Sequence, residues 1–272
     1  MTILGVDFTS APSHRKPITV ARGRLAGGAF ALQSIDALPD WPAFEALLRE
    51  PGPWIGGFDF PFGLPREAVR DLGWPDRWEA LVGHSASLGR TAFRQTLDAY
   101  RATRAAGNKY PHRATDRPAA SHSPIKLVNP PVALMFLEGA PRLAAAGVAI
   151  PGLRDGDPAR VAVEAYPGLA ARALGAGSYK SDEKRKQTPL RRTARAAMVA
   201  RLVRDGGPFG FRLAGSREAL RTLTRDGSGD RLDAVLAAMQ AAWCSRRRAR
   251  NFGLPLDIDP LEGWIAMAGT AR

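Results

Sequence analysis

Runs of apolar residues bounded by turn residues predict five main strands in this chain. They cover residues 3–10, 16–25, 29–35, 53–60 and 160–166. The dipeptide Gly27-Gly28 separates the second run from the third and is typical of a hairpin, so the first three strands are predicted to form an antiparallel meander. The fourth follows a helical segment, and such a strand usually lies parallel to an earlier one through a right-handed crossover.

Helical spacing of apolar residues predicts the elements that flank this sheet. Residues 66–106 are predicted to be helical, with a break at Trp74-Pro75 and a longer helix over 87–106. Further predicted helices cover 41–49, 132–146, 168–174, a segment that ends near 205, 216–223 and 228–243. Residues 107–131 have no periodicity and are predicted to form a long loop, while 148–150 is a short edge strand. The chain is therefore predicted to be one α/β domain over 1–272, with a mixed five-stranded sheet and a helical and loop insertion at about 66–158.

The balance of charges permits a polyanionic partner without establishing one. The formal net charge is +13, and 33 of the 39 basic residues are arginine in a chain that is rich in glycine and proline. Such a composition also follows from a GC-rich genome, so we discount the charge as an argument for nucleic-acid binding. The chain has no apolar run of membrane-spanning length, no signal-peptide pattern at its start and only one cysteine, Cys244. These features predict a cytoplasmic protein with no membrane contact and no disulfide.

Acidic residues recur where the predicted strands end. Asp7, Asp59 and Glu164 each lie near the carboxyl end of a strand, and Asp230 and Asp233 begin the last helix. If the strands are parallel neighbours, their carboxyl ends meet at one edge of the sheet, which is where open α/β sheets place their sites. Clustered carboxylates need cations, and hard oxygen ligands favour Mg²⁺ or Mn²⁺. Two such ions can activate a water and stabilise the leaving oxygen of a phosphodiester.

Ordinary structural roles are open for several of these acids. Asp59 precedes Pro61 and Gly63, so it can bond its own backbone in a turn. Asp230 can cap the last helix, and Asp233 can favour the positive end of that helix.

The ordered set of short motifs resembles a known family. These motifs are GVDFTS, GFDFPFGLP, VEAYP, YKSDEKR, GDRLDAVLAAMQAAW and EGWI. Together they are similar to the "domain of unknown function 429" family of predicted nucleases with a ribonuclease-H-like fold. The order of predicted elements is also the plan of the ribonuclease H fold.

The resemblance implies a metal-dependent nuclease acting on DNA or RNA. By motif, Asp7 would be the central metal ligand, Asp59 the fourth-strand acid and Asp233 the third ligand, with Asp230 as an accessory metal ligand. Glu164 matches a family motif and is a further candidate catalytic residue. The basic residues expected to hold the substrate backbone are Lys109, Arg113 and Arg117 in the long loop, and Lys180, Lys184 and Arg185 in the YKSDEKR stretch.

Two other functions remain open from the sequence. One is a nucleotide-binding phosphotransferase of the actin and sugar-kinase branch, although such proteins normally have two lobes and glycine-rich phosphate loops. The other is a non-catalytic nucleic-acid-binding protein that keeps the fold. Binding of Mn²⁺ separates the nuclease from the non-catalytic alternative.

Overall fold

A computed structural model describes residues 1–270 and contains one mixed sheet with helices on both faces. The strands are β1 (Thr2–Asp7), β2 (Ile18–Ala26), β3 (Ala29–Leu38), β4 (Trp54–Phe58), β5 (Val148–Ala149), β6 (Asp157–Glu164) and β7 (Arg212–Ala214). The helices are α1 (Trp41–Arg49), α2 (Arg66–Asp71), α3 (Trp78–Thr103), α4 (Asp116–Ala119), α5 (Val132–Ala146), α6 (Pro167–Ala173), α7 (Pro189–Arg204), α8 (Arg217–Arg225) and α9 (Asp230–Ser245).

The sheet has seven strands in the order β5-β6-β4-β1-β2-β3-β7, so the predicted count of five is wrong. β1, β2 and β3 form the predicted antiparallel meander, and β4 lies parallel to β1. The pairing of β4 with β1 confirms the parallel arrangement expected for the fourth strand, and β6 lies parallel to β4 on its other side. The two additional strands are the edges: β5 confirms the short edge strand predicted at 148–150, whereas β7 has three residues, too few for an alternating pattern to identify it.

Two apolar cores lie on the two faces of the sheet. On one face α1, α3 and α5 pack over residues such as Val6 and Phe58. On the other, α9 packs along β1, β2 and β4 over residues such as Ile3 and Ile55. Successive residues of a strand point to opposite faces, so the odd-numbered residues of β1 and β4 face α9.

The segment between β4 and β6 is mainly helical, as predicted for the insertion. α5 has the predicted bounds. α3 joins the helical segment predicted around Trp78 to the longer helix predicted from residue 87, with a non-helical residue at Gly89. Residues 107–131 lack long elements and contain only the four-residue helix α4. No helix among residues 1–270 is both long and apolar enough to cross a membrane.

Candidate active site

Asp7 and Asp59 lie side by side at the carboxyl ends of two neighbouring parallel strands. Asp7 is the last residue of β1, and Asp59 directly follows β4. The backbone N–H of Asp59 donates to the carbonyl oxygen of Val6, with 2.9 Å between nitrogen and oxygen. The parallel ladder therefore continues to this pair and fixes the two acids on the same face of the sheet.

Two glycines allow α9 to approach that face closely. A Cβ atom added to Gly5 would lie 2.0 Å from the carbonyl oxygen of Ala234, and one added to Gly57 would lie 2.3 Å from that of Ala237. Each glycine precedes one of the acids by two residues and so points to the same face. The bare backbone at these positions is what allows the first turn of α9 to lie over the strand ends.

The first turn of α9 brings Asp233 to this site. Its side chain is fully buried. The hydroxyl of Tyr179 donates to its Oδ1 at 2.6 Å, and the ammonium of Lys180 donates to its Oδ2. Lys180 approaches over Gly229, which has a φ of +83° and leaves no room for a side chain, since an added Cβ would lie 2.7 Å from that of Lys180. The carboxylate of Asp233 is thus paired with an ammonium and hydrogen-bonded to a hydroxyl. About 42 % of the Lys180 side chain remains exposed.

Burial and mutual repulsion make Asp7 and Asp59 hard to ionise. Loss of solvent around Asp7, followed by the charge of Asp233, raises its pKa well above 3.8. Burial also raises the pKa of Asp59, to about 7, against the opposing effect of Lys180. For Lys180, desolvation lowers the pKa but nearby Asp233 outweighs it, so the ammonium stays charged. The cluster therefore has more carboxylates than cations, which favours a proton or a further cation.

Asp230 lies at the edge of the same cavity. It is the first residue of α9, and Gly229, not Asp230, occupies the N-cap position. The capping role considered for Asp230 is therefore wrong. Burial raises the pKa of its carboxyl.

Glu164 belongs to a different network from the aspartates. It is paired in register with Phe58 and therefore points to the opposite face from Asp59. Its two carboxylate oxygens accept from the guanidinium of Arg113 at 2.7 and 2.6 Å, and the N–H of Phe62 also donates to it. Arg113 pairs in turn with Asp116, and all three side chains are at least 96 % buried. This geometry makes Glu164 a structural partner of the loop after Asp59. Glu164 also lines the cavity that holds the aspartates, so its catalytic role stays a prediction.

The segment after residue 260 closes this network, a role that sequence reasoning missed. The carboxylate of Glu262 accepts from the backbone N–H groups of Arg66 and Ala114, each at 2.8 Å. Ile265 forms an isolated parallel bridge with Glu164 at the end of β6. The EGWI motif was the available signal, but no spacing rule links it to Glu164.

The predicted substrate-binding residues divide into two groups. Lys180 and Arg113 line the cavity. Arg113 is only 2 % exposed and its guanidinium is paired with two acids, so its contact with substrate stays a prediction. The other four are exposed and do not line the cavity: Lys109, Arg117, Lys184 and Arg185. Arg185 pairs with Glu183 at 3.0 Å.

A cavity of about 820 Å³ joins these features. Its polar side holds Asp7, Asp59 and Asp233, and residues of the insertion, including Val132 and Met135, form an apolar wall. This volume lies in the range of small-molecule sites, and the combination of an apolar wall with a few convergent charges is typical of them. The cavity is therefore the best candidate site on the described chain.

The donor set fits an open magnesium site better than a closed one. Within residues 1–270, no three His, Cys, Asp or Glu side chains come together as a preformed metal site. Mg²⁺, however, is usually held by one or two carboxylates, several waters and substrate phosphates. No hydrogen bond from the described residues reaches the carboxylates of Asp7 or Asp59, and their charges are undercompensated. These two acids fit an ion that arrives with the substrate.

Comparison with known proteins gives one match. The model of a family described as "Protein of unknown function (DUF429)" matches residues 5–254. Neither the curated proteins nor the solved structures contain a match to the chain. The matched range contains every aspartate of the cavity.

Proposed function

The chain belongs to the DUF429 family, and from its site we propose that it is a metal-dependent nuclease that hydrolyses phosphodiester bonds of nucleic acid. The observation that carries the proposal is the meeting of Asp7, Asp59 and Asp233 in one cavity. These residues come from three elements that are far apart in sequence. Undercompensated acids with raised pKa values in a cleft are a mark of functional sites.

The order of strands supports the same proposal. Taken without the short edge strands, the order β6-β4-β1-β2-β3 consists of an antiparallel meander extended on one side by two parallel strands. With an acidic helix packed on β1, this is the plan expected of a ribonuclease-H-like fold. We propose that fold for the chain, as a specific form of the mixed α/β architecture.

The residues of the chain would divide the work as follows. Asp7 and Asp59 would hold Mg²⁺ or Mn²⁺, with Asp230 at the edge of the site, and the ion would activate a water and stabilise charge on the phosphate oxygens. Asp233 fixes Lys180 through the ion pair, so that the exposed part of the ammonium can bind a phosphate oxygen in the cavity. Tyr179 holds the orientation of Asp233.

An activity panel tests the proposal. Single-stranded, duplex, hybrid and branched nucleic acids and mononucleotides, including ATP, are incubated with the protein and Mg²⁺ or Mn²⁺. We expect phosphodiester cleavage that requires the metal and is lost in Asp7→Asn. The matched control is Asp76→Asn, which changes an exposed aspartate that does not line the cavity. Equal cleavage by Asp7→Asn and the wild type would overturn the assignment, and transfer of a phosphoryl group from ATP would favour a phosphotransferase.

One observation favours a second function, a non-catalytic nucleic-acid-binding protein. Lys180 already neutralises Asp233, and the described residues contain no preformed three-ligand metal site. For such a protein, Mn²⁺ should leave the melting temperature unchanged in both the wild type and Asp7→Asn. The nuclease proposal expects Mn²⁺ to raise the melting temperature of the wild type and to have less effect on Asp7→Asn.

A further inference from the structure

A second concave surface lies between α7 and α8, outside the carboxylate cavity. The two helices pack against each other and leave a groove of about 740 Å³. Its floor is made of small apolar residues, among them Ala196, Val199 and Leu220. Five arginines line it: Arg192 and Arg204 from α7, and Arg217, Arg221 and Arg225 from α8. We call this surface the arginine groove.

Most of the arginines that line the arginine groove lack acidic partners on the described part of the chain. Within residues 1–270, Arg204 is the only one of its five arginines in an ion pair, with the adjacent Asp205. By contrast, Arg104 of the insertion pairs with both Glu67 and Asp71. A GC-rich genome explains many arginines, so the informative feature is that four arginines with no ion pair to a described residue line the same concave surface.

Spacing and composition indicate the ligand. Arg217, Arg221 and Arg225 are four residues apart, which places them on one face of α8 with a rise of about 6 Å between neighbours. Guanidinium groups bind phosphate oxygens in a bidentate manner. No aromatic side chain lines the groove, so it offers nothing on which a base could stack. A row of phosphates fits these features better than a set of bases does.

A buried arginine links one end of the arginine groove to a segment that lines the carboxylate cavity. Buried Arg195 on α7 donates to the carbonyl oxygen of Thr224, a groove residue, at 3.0 Å, and to that of Tyr179 at 2.5 Å. Tyr179 and Lys180 line the cavity. Arg195 therefore ties the end of α8 to the segment that carries Lys180.

From this juxtaposition we infer that the arginine groove binds the phosphate backbone of a nucleic-acid strand whose scissile phosphate occupies the carboxylate cavity. The inference rests on the proposed nuclease function for the identity of the polymer. The groove contacts phosphates only, so binding to it is independent of base sequence and strongly dependent on salt.

The test is the binding of a fluorescein-labelled deoxythymidine oligonucleotide to the full chain, in EDTA, measured by fluorescence anisotropy from 50 to 300 mM NaCl. The variant is Arg217→Ala/Arg221→Ala. The control is Arg24→Ala/Arg77→Ala, which removes the same charge from exposed arginines that line neither the groove nor the cavity. We expect the groove variant to weaken binding at least tenfold at 50 mM NaCl. It should also reduce the slope of log K against log salt by about 1.4, at about 0.7 per phosphate contact. The control should retain the wild-type slope.

Two outcomes would overturn this inference. One is an equal loss of binding in the groove and control variants, which would show a general effect of charge. The other is binding of an acidic amphipathic peptide with no binding of the oligonucleotide.

A hydrolysis assay separates the inference from the nuclease proposal. Hydrolysis of bis(p-nitrophenyl) phosphate with Mn²⁺ should be unchanged in the groove variant. The wild type could show no hydrolysis while the groove variant still binds the oligonucleotide more weakly than the control variant does. In that case the nuclease proposal fails and the groove remains a nucleic-acid site.

Discussion

The close approach of α9 to the sheet makes Gly5 a sensitive position for the smallest possible substitution. In Gly5→Ala the new Cβ would lie 2.0 Å from the oxygen of Ala234 and 2.1 Å from the nitrogen of Ala238. Both are backbone atoms of a buried helix, so no flexible side chain can yield and α9 itself must shift. Overpacking of a core costs about 1–3 kcal/mol, and contacts of this kind place the substitution at the upper end, about 3 kcal/mol.

The matched control is Gly83→Ala, the same chemical change on an exposed face of α3. A Cβ at Gly83 meets nothing within 4 Å. Alanine is favoured over glycine inside a helix by about 0.8–1 kcal/mol, so this variant should be slightly more stable than the wild type.

Thermal unfolding followed by circular dichroism measures both effects. At about 2–4 °C per kcal/mol for a chain of this size, Gly5→Ala should melt about 6–12 °C below the wild type. Gly83→Ala should melt a few degrees above it. A Gly5→Ala protein that melts within 1 °C of the wild type would refute the close packing of α9 against β1 at Gly5.

Three further predictions concern the acids and their partners. Because burial raises the pKa of Asp59 to about 7, the folded state holds a proton that the unfolded chain loses near pH 4. As the pH rises from 4 to 7, the free energy of unfolding of the wild type should therefore fall by up to about 4 kcal/mol relative to that of Asp59→Asn. Urea titrations that give the same pH dependence for both proteins would contradict this. Lys180→Met should increase the rise in melting temperature caused by Mn²⁺, since the ammonium competes for the carboxylates; a smaller rise than in the wild type would count against a metal site. Arg113→Met should cost about 3–5 kcal/mol in urea unfolding, because two buried acids lose their counter-charge, and a loss below 1 kcal/mol would refute this account of the network.

The sequence predicted the strands that are apolar runs bounded by turn residues, and it did not predict the short edge strand β7. The meander and β4 are apolar runs with turn residues between them, so local pattern and observed pairing agree. Helix α1 was predicted from its apolar spacing, and in the structure Asp40 caps it, with its Oδ1 accepting from the N–H of Ala43. β7 is a short edge strand added by tertiary pairing with β3, which local periodicity does not report.

The aspartates of the candidate site could be predicted, whereas their partners could not. Strand ends and a helix start predicted that Asp7, Asp59 and Asp233 would meet, and all three line one cavity. Glu164 met the same strand-end criterion, but the register of β6 turns its side chain to the other face, towards Arg113. A shift of one residue along a strand moves a side chain to the opposite face of the sheet. The position of a residue near a strand end therefore does not tell to which face its side chain points.

The packing of β1 against α9 also bears on how the chain folds. The two elements lie at opposite ends of the chain, with nearly all other elements between them. A ribosome adds about 5–20 residues per second, so α9 is synthesised at least about ten seconds after β1. During that time Ile3 and Ile55 present an uncovered apolar face, and contacts between such distant segments form slowly once they are possible. The aspartates therefore assemble only late in folding, and partly synthesised chains should depend on chaperones that cover the open sheet.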